Sequence, residues 1–374
     1  MKILEVCVDL DGGGIDRYLY NYCSRIKDIQ FDFAIVENNK IGILEAPIKA
    51  LGCNIYRVPR QSAGPKQNYA ALKKIMTENK YDAVHVHLGY KGALALLCAK
   101  NCGIKTRIVH AHIAYVPESL AQRAVRRIMT FFTKRLATDL AACGNDAALW
   151  VWGKSAVEKG KVTVHNNAIE TGEYAFSPND RQLLRNNLGI DDATFVVGHV
   201  GRICEQKNQL RLVEIFAEIL KRNGNSKLLM VGFGGDEYEK SVRHRAKELN
   251  IQNNIEFLGV RSDVKQLLNA FDLFVFPSAY EGLPFTLIET QCNGLYAISS
   301  DAVTKDVKVS VCVEFLSLEK SDNDWADTAL RIGRNGHNAS AYKDVAAAGY
   351  DIDTEAAKLR GYYFNSIKAE AKNE

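Results

Sequence analysis

The sequence predicts an α/β protein of two doubly wound domains, each with a parallel sheet covered by helices on both faces. With 374 residues, the chain is too long for one ordinary hydrophobic core. Short strand-like runs alternate with helix-period stretches from end to end, which is the pattern of parallel sheets. A linker-like stretch at 170–180 divides this alternation into two series. We therefore expect domains at 1–172 and 173–352, and a C-terminal helix at 353–374 that packs back on the first domain.

The individual elements follow from local patterns of apolar residues. In the first domain these patterns predict strands at Ile3–Val8, Phe31–Val36, Ile55–Val58, Ala83–His87, Arg107–Ala111, Leu140–Cys143 and Val162–His165. The second domain repeats the plan with strands at Phe195–Val200, Lys227–Val231, Ile255–Leu258, Leu273–Phe276, Tyr296–Ser299 and Val311–Phe315. Helix-period spacing predicts two apolar helix faces in the first half, formed by Ile15, Leu19, Tyr22 and Ile26 and by Leu72, Ile75 and Met76.

This architecture indicates where ligands bind. Doubly wound domains hold their ligands in crevices at the carboxyl ends of the strands. If the two sets of strand ends face each other, the sheets lie across a deep cleft that contains the site. The motifs described below all fall at such strand ends.

The composition is that of a soluble globular protein, with 47% hydrophobic and 25% charged residues. No apolar run reaches the roughly 18 residues that span a bilayer, and the N-terminus reads as a strand rather than a signal peptide. The nine cysteines include no Cys-x-x-Cys pair. Scattered, unpaired cysteines indicate reduced thiols in a cytoplasmic protein rather than a disulfide framework or a zinc site.

The net charge of +4 hides an asymmetry between the two halves. Residues 1–170 carry 24 Lys and Arg against 15 Asp and Glu, a balance of +9, and the remainder carries 24 against 29, a balance of −5. Opposite charges suggest a different partner for each half, and a chance distribution over two solvated surfaces is the alternative. We expect no nucleic-acid partner.

Two glutamates flank a turn in the second domain. Glu281 follows a predicted strand, and Glu289 lies inside the predicted helix that starts near Pro284 and stops at Gly294. The first turn of that helix offers N–H groups to an anion. Carboxylates that accept hydroxyl hydrogen bonds, placed beside an anion site, suit a protein that grips a sugar nucleotide.

Two cations follow the first strand of the same domain. Gly201 and Arg202 stand at the strand end, and Lys207 comes five residues after the arginine. An arginine fork and a compact ammonium suit a diphosphate. Cations solvated on an exposed loop are the alternative. After the next strand, a second loop at 232–235 includes Gly234 and allows close approach of a ligand.

The first domain opens with a glycine loop, Gly12, Gly13 and Gly14, after its first strand. Glycines let the backbone approach a ligand and expose N–H groups. The loop lacks both the G-x-G-x-x-G dinucleotide pattern and the lysine of a P-loop, so NAD and ATP are disfavoured. A plain tight turn is the alternative.

Four histidines lie near the ends of two strands in the first domain. Alternation puts His85 with His87 on one side of a strand, and His110 with His112 on one side of another. A metal site is disfavoured, because the sequence places no cysteine or carboxylate near them to complete a ligand set. We expect His85 and His110 to be packed or solvated, and His112 to face the ligand.

A basic stretch at 118–137 interleaves Arg and Lys with Ile128, Met129, Phe131 and Phe132. Such a helix can rest on an anionic membrane that carries the acceptor substrate. An ordinary amphipathic surface helix is the alternative.

Taken together, these motifs resemble those of retaining GT-B glycosyltransferases of glycosyltransferase family 4, and more closely the bacterial enzymes of capsule and exopolysaccharide assembly. The resemblance covers nearly the whole chain. Its elements are the E-x7-E pair, the Gly-Arg…Lys motif, the N-terminal glycine loop, and the segments Ala142–Gly153 and Val162–Ile169. The sequence departs from the family at Ile113, where a polar residue is common, and at Asn166-Asn167-Ala168.

The resemblance implies a role for each motif residue. Arg202 and Lys207 would hold the donor diphosphate, Glu289 the ribose, and Glu281 the transferred sugar. The remaining donor contacts would come from Gly13, Gly14, Gly201, Gly234, Gly282, Leu283, Pro284 and Phe285. His112 would lie near the anomeric carbon. With cations at the leaving group, the glutamates are interpreted as hydroxyl clamps rather than as nucleophiles.

The expected activity is therefore transfer of a hexose, with retention, from a nucleotide sugar to a lipid-linked saccharide. The resemblance favours a UDP-sugar as co-substrate, no other cofactor and no metal, and the chain has no Asp-x-Asp motif at a strand end that would suggest one. We expect a cytoplasmic protein, peripheral at the inner face of the cell membrane if the basic helix binds lipid. The alternatives are another sugar-nucleotide enzyme, such as an epimerase or a phosphorylase, and a non-catalytic nucleotide-sugar-binding subunit.

Overall fold

The computed structural model describes residues 1–11, 13–36, 41–113, 118–235 and 237–372. The chain forms two compact units. The first unit contains Met1–Ile169 and Ile352–Glu374, and the second contains Glu170–Asp351. Each unit is an α/β body with a parallel sheet, which confirms the predicted fold class.

The first unit contains a seven-stranded sheet of order β3-β2-β1-β4-β5-β6-β7, in which all neighbours are parallel. Its strands are β1 (Lys2–Cys7), β2 (Gln30–Val36), β3 (Asn54–Val58), β4 (Ala83–Val86), β5 (Thr106–Ala111), β6 (Asp139–Ala142) and β7 (Val162–Val164). Its helices are α1 (Gly14–Arg25), α2 (Glu45–Ala50), α3 (Pro65–Asn79), α4 (Ala93–Asn101), α5 (Leu120–Leu136), α6 (Asn145–Trp152), α7 (Lys154–Glu158) and the C-terminal α15 (Ile352–Lys372).

The second unit contains a six-stranded parallel sheet of order β10-β9-β8-β11-β12-β13. Its strands are β8 (Phe195–Val200), β9 (Ser226–Val231), β10 (Ile255–Gly259), β11 (Leu273–Phe276), β12 (Ala297–Ser300) and β13 (Val313–Leu316). Its helices are α8 (Pro178–Asn187), α9 (Gln209–Arg222), α10 (Glu237–Glu248), α11 (Val264–Leu267), α12 (Phe285–Cys292), α13 (Asp322–Ile332) and α14 (Ala341–Val345).

Both sheets reverse their strand order once near the middle. The reversal lies between β1 and β4 in the first sheet and between β8 and β11 in the second. Doubly wound domains bind ligands outside the carboxyl ends of the strands at this point. In the second unit, the loops at this position are residues 201–208 after β8 and 277–284 after β11. The predicted cation and glutamate motifs therefore lie where the strand order reverses, which we call the switch point of the second unit.

The cores of the two units differ in polarity. The second sheet packs against an apolar cluster that includes Leu212, Phe216 and Trp325. The first sheet buries the polar side chains of Glu5 and His85 among apolar neighbours. Burial of polar groups is costly unless they are hydrogen-bonded to each other, so the first core requires a network of partners.

The C-terminal helix α15 contributes to the first core. The hydroxyl of Tyr363 donates a hydrogen bond to Glu5 at 3.1 Å, and Ser366 donates to Asp139 at 3.1 Å. Tyr363 itself is buried. The helix therefore supplies part of the interior of the first unit, although it is separated from that unit in the sequence by the whole second unit.

Several predicted strand boundaries are wrong by one or two residues. The last strand begins at Val313 instead of Val311, since Val311 is 67% exposed and precedes the ladder. The linker-like stretch 170–180 contains a short 3₁₀ turn at Thr171–Tyr174 and the start of α8, where Pro178 takes the first helical position after the Ser177 cap.

Candidate functional site

A lysine–glutamate ion pair lies at the switch point of the second unit. Lys207 Nζ, from the loop after β8, is 2.7 Å from Glu281 Oε1, from the loop after β11. The two side chains are only 16% and 9% exposed. The ammonium also lies 4.6 Å from the ring centre of Phe276. Because few waters screen partly buried charges, the attraction is stronger than at the surface. The fold thus joins two residues that belong to separate sequence motifs.

Hydrogen bonds fix these two loops to each other. The Ala279 N–H donates to the Gln206 carbonyl at 2.8 Å, and the Gln206 side chain donates to the Tyr280 carbonyl at 3.0 Å. The Asn208 side chain donates to the Pro277 carbonyl at 3.1 Å. Asn208 caps α9 with φ 58°, a left-handed conformation that asparagine tolerates. The geometry of the ion pair is therefore supported by the loops and does not depend on the pair alone.

The second predicted cation is in a different environment. The Arg202 side chain is exposed, and the Arg202 carbonyl accepts a hydrogen bond from Gln209 at 3.0 Å. Arg202 has no ion pair within the part of the chain that the structure describes. Since the guanidinium is always charged, the loop keeps a positive charge at the strand end that a bound anion can meet.

Glycines allow the loops after β8 and β9 to approach each other. A Cβ on Gly232, which has φ 134°, would lie 2.0 Å from the Gly201 carbonyl oxygen. A Cβ on Gly234 would lie 2.6 Å from the Ile203 carbonyl oxygen. Any side chain would displace the neighbouring backbone at these points. The N–H of Gly234 donates to the Glu239 carboxylate at 3.1 Å, so it already has a partner.

The helix after β11 begins one residue later than predicted. Pro284 is the N-cap, with extended φ −73° and ψ 119°, and is not part of the first helical turn. Gly294 follows the C-cap with φ 75°, as predicted for the helix stop. Leu283 and Phe285 are buried, and Gly282 is half-buried. A contact between these residues and a donor stays a prediction.

Glu289 is buried inside α12 and has a partner that the sequence analysis missed. The hydroxyl of Tyr174 donates to Glu289 Oε1 at 2.8 Å. One turn further along the helix, the Asn293 side chain donates to the Tyr174 carbonyl at 3.1 Å. Tyr174 lies in the predicted linker, and no local motif marks it. Its contact with Glu289 spans 115 residues of sequence.

In the first unit, the four histidines join Glu5 in one cluster, in which His112 is partly exposed and the other members are buried. Glu5 Oε2 lies 2.7 Å from His87 Nε2, and His87 Nδ1 lies 2.8 Å from His112 Nε2. His85 Nε2 lies 3.3 Å from His110 Nδ1, and the rings of His110 and His112 stack with centres 4.1 Å apart. The predicted pairing of side chains along each strand is consistent with this cluster.

Burial sets the charge state of the cluster. Loss of solvent raises the pKa of Glu5 to about 8, although its hydrogen bond from Tyr363 opposes the shift. Desolvation also lowers the pKa of His112 to about 3, and it moves the pKa values of His85 and His87 well below their usual range. The histidines are therefore neutral near pH 7, and most of the Glu5 carboxyl is protonated.

The prediction that no carboxylate lies near these histidines is wrong, because Glu5 contacts His87 directly. Nitrogen atoms of His85, His87 and His110 also lie within 4.8 Å of one another. The available signal was an acidic residue inside the apolar strand β1, because a buried carboxylate needs partners.

The glycine loop of the first unit is partly described. Gly12 lies outside the described residues. Gly13 caps α1, and its N–H donates to Asp16 Oδ2 at 2.9 Å. Gly14 is exposed and is the first residue of the helix. The Gly13 N–H would have to leave Asp16 before it could bind another anion.

The second unit matches a known protein family. Residues 180–313 match the family described as glycosyl transferases group 1. This segment contains the ion pair, the close-packed glycine loops and α12. The chain contains a glycosyltransferase group 1 domain. The resemblance inferred from the sequence motifs is thereby confirmed at the level of the glycosyltransferase group.

Relatives extend the likeness beyond this domain. The glycosyltransferase is 28% identical over 375 residues to the putative glycosyltransferase EpsF of Bacillus subtilis (strain 168), covering 97% of this chain and 96% of that protein. It is 28% identical over 264 residues to the UDP-Gal:alpha-D-GlcNAc-diphosphoundecaprenol alpha-1,3-galactosyltransferase of Escherichia coli, covering 70% of this chain and 68% of that protein.

A solved structure shows the fold of the whole chain. The crystal structure of Anabaena Alr3699/HepE in complex with UDP and glucose is similar, with a TM-score of 0.82, 20% sequence identity, and coverage of 98% of this chain and 100% of that one. Together with the two parallel sheets, this likeness establishes the GT-B fold of the glycosyltransferase.

Proposed function

We propose that this glycosyltransferase is a retaining hexosyltransferase of family 4 that moves a hexose from a UDP-sugar to a lipid-linked saccharide during capsule or exopolysaccharide synthesis. The observation that carries the proposal is the Lys207–Glu281 ion pair at the switch point of the second unit. The named galactosyltransferase relative uses a UDP-sugar and an acceptor on diphosphoundecaprenol, which supports the choice of donor and acceptor.

The ion pair suits a site that exchanges one anion for another. Without a donor, Glu281 compensates the charge of Lys207 at 2.7 Å. A diphosphate brings negative charge to the ammonium, and the carboxylate is then free to accept hydrogen bonds from the sugar hydroxyls. The exposed Arg202 adds a two-pronged donor for the phosphate oxygens. The N-terminal dipole of α12 adds partial positive charge to the same loop.

These charges act on the bond that breaks. The anomeric carbon–oxygen bond cleaves, its electron pair goes to the diphosphate oxygen, and negative charge grows there. Fixed cations stabilise that charge more in the transition state than in the ground state, which lowers the barrier. We propose that Lys207 and Arg202 do this without a divalent metal.

Retention follows from attack on the same face as the departing group. The acceptor hydroxyl oxygen bonds to the anomeric carbon, and its proton passes to the leaving phosphate oxygen. This route needs no protein nucleophile. It leaves the Glu281 carboxylate to accept hydrogen bonds from the sugar hydroxyls once the diphosphate has become the partner of Lys207.

Glu289 fits the role of a ribose clamp. Its side chain is 1% exposed, and the bond from Tyr174 fixes one carboxylate oxygen. A carboxylate held in this way loses little conformational freedom when it accepts a ribose hydroxyl. The loss of this carboxylate should therefore weaken nucleotide binding more than turnover.

A lipid-linked acceptor is best reached from a membrane surface, and α5 can provide the contact. No helix among the described residues is long and apolar enough to cross a membrane. In α5, Thr133 is the buried residue, whereas Ile128, Phe131 and Phe132 are more than half exposed. Arg127 is exposed on the same helix. We propose that α5 lies on an anionic membrane at the inner face of the cell membrane.

Two measurements test this function. Thermal shifts with a panel of nucleoside diphosphates at one concentration should show the largest stabilisation with UDP, because the tightest ligand stabilises the folded state most. Incubation of UDP-hexoses with a saccharide on a polyprenyl diphosphate should then yield an extended lipid-linked product. Conversion of the donor without an acceptor would instead indicate an epimerase, and tight UDP binding without turnover a non-catalytic subunit.

A further inference from the structure

A continuous chain of hydrogen bonds leads from His112 into the core of the first unit. His112 is partly exposed, and His87 behind it is 2% exposed. Glu5 follows His87 and is 1% exposed. The nitrogen–nitrogen distance is 2.8 Å and the nitrogen–oxygen distance is 2.7 Å. Such distances require one hydrogen in each gap.

The direction of these bonds depends on the Glu5 carboxyl. When Glu5 is ionised, it can only accept, so His87 Nε2–H donates to it. A neutral His87 then has a lone pair on Nδ1 and accepts from His112 Nε2–H, which leaves a lone pair on His112 Nδ1. When Glu5 is protonated, its O–H donates to His87 Nε2. His87 Nδ1–H then donates to His112 Nε2, and His112 carries its hydrogen on Nδ1.

We propose that Glu5 is a positioning residue for His112: acting through His87, it decides which ring nitrogen of His112 carries the hydrogen. The outer nitrogen, Nδ1, is then either an acceptor or a donor toward whatever binds beside it. The proposal rests on the proposed function for one point only, which is that His112 meets the donor. No motif in the sequence connects position 5 with position 112.

The groups around Glu5 make both states possible. Tyr363 of α15 donates to Glu5 Oε1 at 3.1 Å, and His85 Nδ1 lies 3.5 Å from Oε2. From α1, Tyr18 and Cys23 face the same region, and Cys7 lies further along β1. All of these groups are neutral near pH 7, and the pKa of Glu5 is raised to about 8 by its burial. The carboxyl is therefore ready to change state a little above neutral pH.

The rest of the cluster is compatible with this assignment. Tyr363 donates to Glu5 and accepts from His85 Nδ1–H at 2.7 Å. His85 Nε2 then accepts from His110 Nδ1–H at 3.3 Å. This leaves a lone pair on His110 Nε2, the atom for which the described residues provide no partner. A lone pair is less costly to leave unpaired than an N–H group.

These hydrogen bonds also argue against a metal ion among the histidines. Both ring nitrogens of His85 and of His87 already face a hydrogen-bond partner at 3.3 Å or less. An ion that took any of these nitrogens would break the chain that satisfies Glu5. One equivalent of zinc or nickel retained by the purified protein after dialysis would therefore contradict the hydrogen-bond network and the proposal.

The direct test is the tautomer of His112 as a function of pH. In protein labelled with imidazole-¹⁵N histidine, two-bond proton–nitrogen spectra distinguish Nδ1–H from Nε2–H, and His112→Gln identifies the signal. We expect Nδ1–H at about pH 6 and Nε2–H at about pH 10, with the change centred near pH 8. In Glu5→Gln the change should be absent. One tautomer at both pH values in the wild-type protein, or an unaltered change in Glu5→Gln, would overturn the proposal.

A second variant covers the case in which Glu5→Gln does not fold. Tyr363→Phe keeps the buried ring and removes the hydroxyl that lowers the pKa of Glu5. The His112 change should therefore move to higher pH. A midpoint that stays in place or moves to lower pH would contradict the proposal. Both spectra are recorded without donor or acceptor, so they stand even if no glycosyl transfer is found.

If transfer is found, the pH profile of kcat gives a readout that a merely structural role would not move. The wild-type profile should have an inflection near pH 8, and Glu5→Gln should lack it with an unchanged KM for the donor. A Glu5→Gln variant that keeps the inflection would show that another group controls His112.

Discussion

The two units handle polar side chains in opposite ways. At the switch point of the second unit, Lys207 and Glu281 are charged, partly exposed and paired with each other. In the first unit, Glu5 and His87 are fully buried, and burial drives both toward their neutral forms. The ion pair of the second unit keeps a positive charge where an anion can bind. In the first unit the buried groups are neutral, and the position of the hydrogen in one hydrogen bond sets its position in the next.

The difference explains why one site is visible in the sequence and the other is not. A charged loop site needs particular residues at fixed spacing after a strand, so local motifs reveal it. In a buried neutral network, each polar group needs only a hydrogen-bond partner within the network, and its members can come from any helix or strand. Four predictions test this contrast, in order of decreasing size.

The largest expected effect is a difference in acid stability between the units. Five histidines of the first unit have a lowered pKa: His85, His87, His110, His112 and His165. The second unit has two, His199 and His337. A lowered folded pKa means that stability falls as the pH drops below the unfolded value of 6.5.

Glu5 offsets part of this effect, because its raised folded pKa adds stability as the pH falls from about 8 toward 4.5. Between pH 7 and pH 4.5 the remaining excess should cost the first unit on the order of 5 kcal/mol more than the second. Fluorotryptophan NMR separates the units, since Trp150 and Trp152 lie in the first and Trp325 in the second. Simultaneous acid unfolding of all three signals would contradict the prediction. His165→Gln should reduce the acid sensitivity, and His244→Gln on the surface should not.

The second prediction concerns the leaving group. Lys207→Ala should lower kcat by about 10²–10³-fold, which corresponds to an activation free energy higher by roughly 2.7–4 kcal/mol. This is the size expected for loss of one group that stabilises a developing oxyanion. The matched control is Lys221→Ala, which removes a lysine from an exposed pair with Glu218 at 2.6 Å. The assay is initial rate at saturating donor. Equal rates for the two variants would remove Lys207 from the mechanism.

The third prediction concerns the nucleotide. Glu289→Gln should weaken UDP binding by roughly 1.5–3 kcal/mol, because it removes a charged hydrogen-bond acceptor. Tyr174→Phe removes only the hydroxyl that orients Glu289 at 2.8 Å and keeps the carboxylate itself, so it should cost less, roughly 0.5–1.5 kcal/mol. Calorimetric titration with UDP measures both. The ribose role fails if Glu289→Gln binds UDP as tightly as the wild-type protein does.

The smallest effect is expected at the membrane. Arg127→Gln on α5 should weaken binding to vesicles with phosphatidylserine by about 1 kcal/mol, and binding to neutral vesicles should not change. Lys154→Gln serves as the control, because this lysine is 81% exposed on a different helix. Sedimentation with sucrose-loaded vesicles gives the bound fraction. Equal loss in both variants would assign the effect to net charge rather than to α5.

Much of the fold could be predicted from the sequence. Buried parallel strands are short apolar runs, and the run Leu273–Phe276 is the observed strand β11 with the predicted bounds. The loops at its end could be predicted because glycine, proline and charge mark them. Strand ends such as Val313 were less predictable, since an exposed valine before the strand has the same local pattern.

The same distinction between local motifs and distant contacts applies to the candidate sites. Lys207 and Glu281 each belong to a local motif, although their contact at 2.7 Å required the fold. Tyr174 and Glu5 could not be assigned, because their partners lie 115 and 82 residues away in the sequence. An acid inside an apolar strand signals that Glu5 needs partners, but tertiary contacts of that length leave no signal in a single chain that identifies those partners.

The anomeric configuration of the product formed in excess EDTA tests both retention and independence from a divalent metal. A UDP-α-hexose and a polyprenyl diphosphate-linked saccharide are incubated with the enzyme, and proton NMR reports the coupling constant at the new linkage. We expect an α-linked product at an undiminished rate, because Lys207 and Arg202 stabilise the leaving diphosphate. A β-linked product, or a rate that collapses with EDTA and returns with a divalent cation, would contradict it.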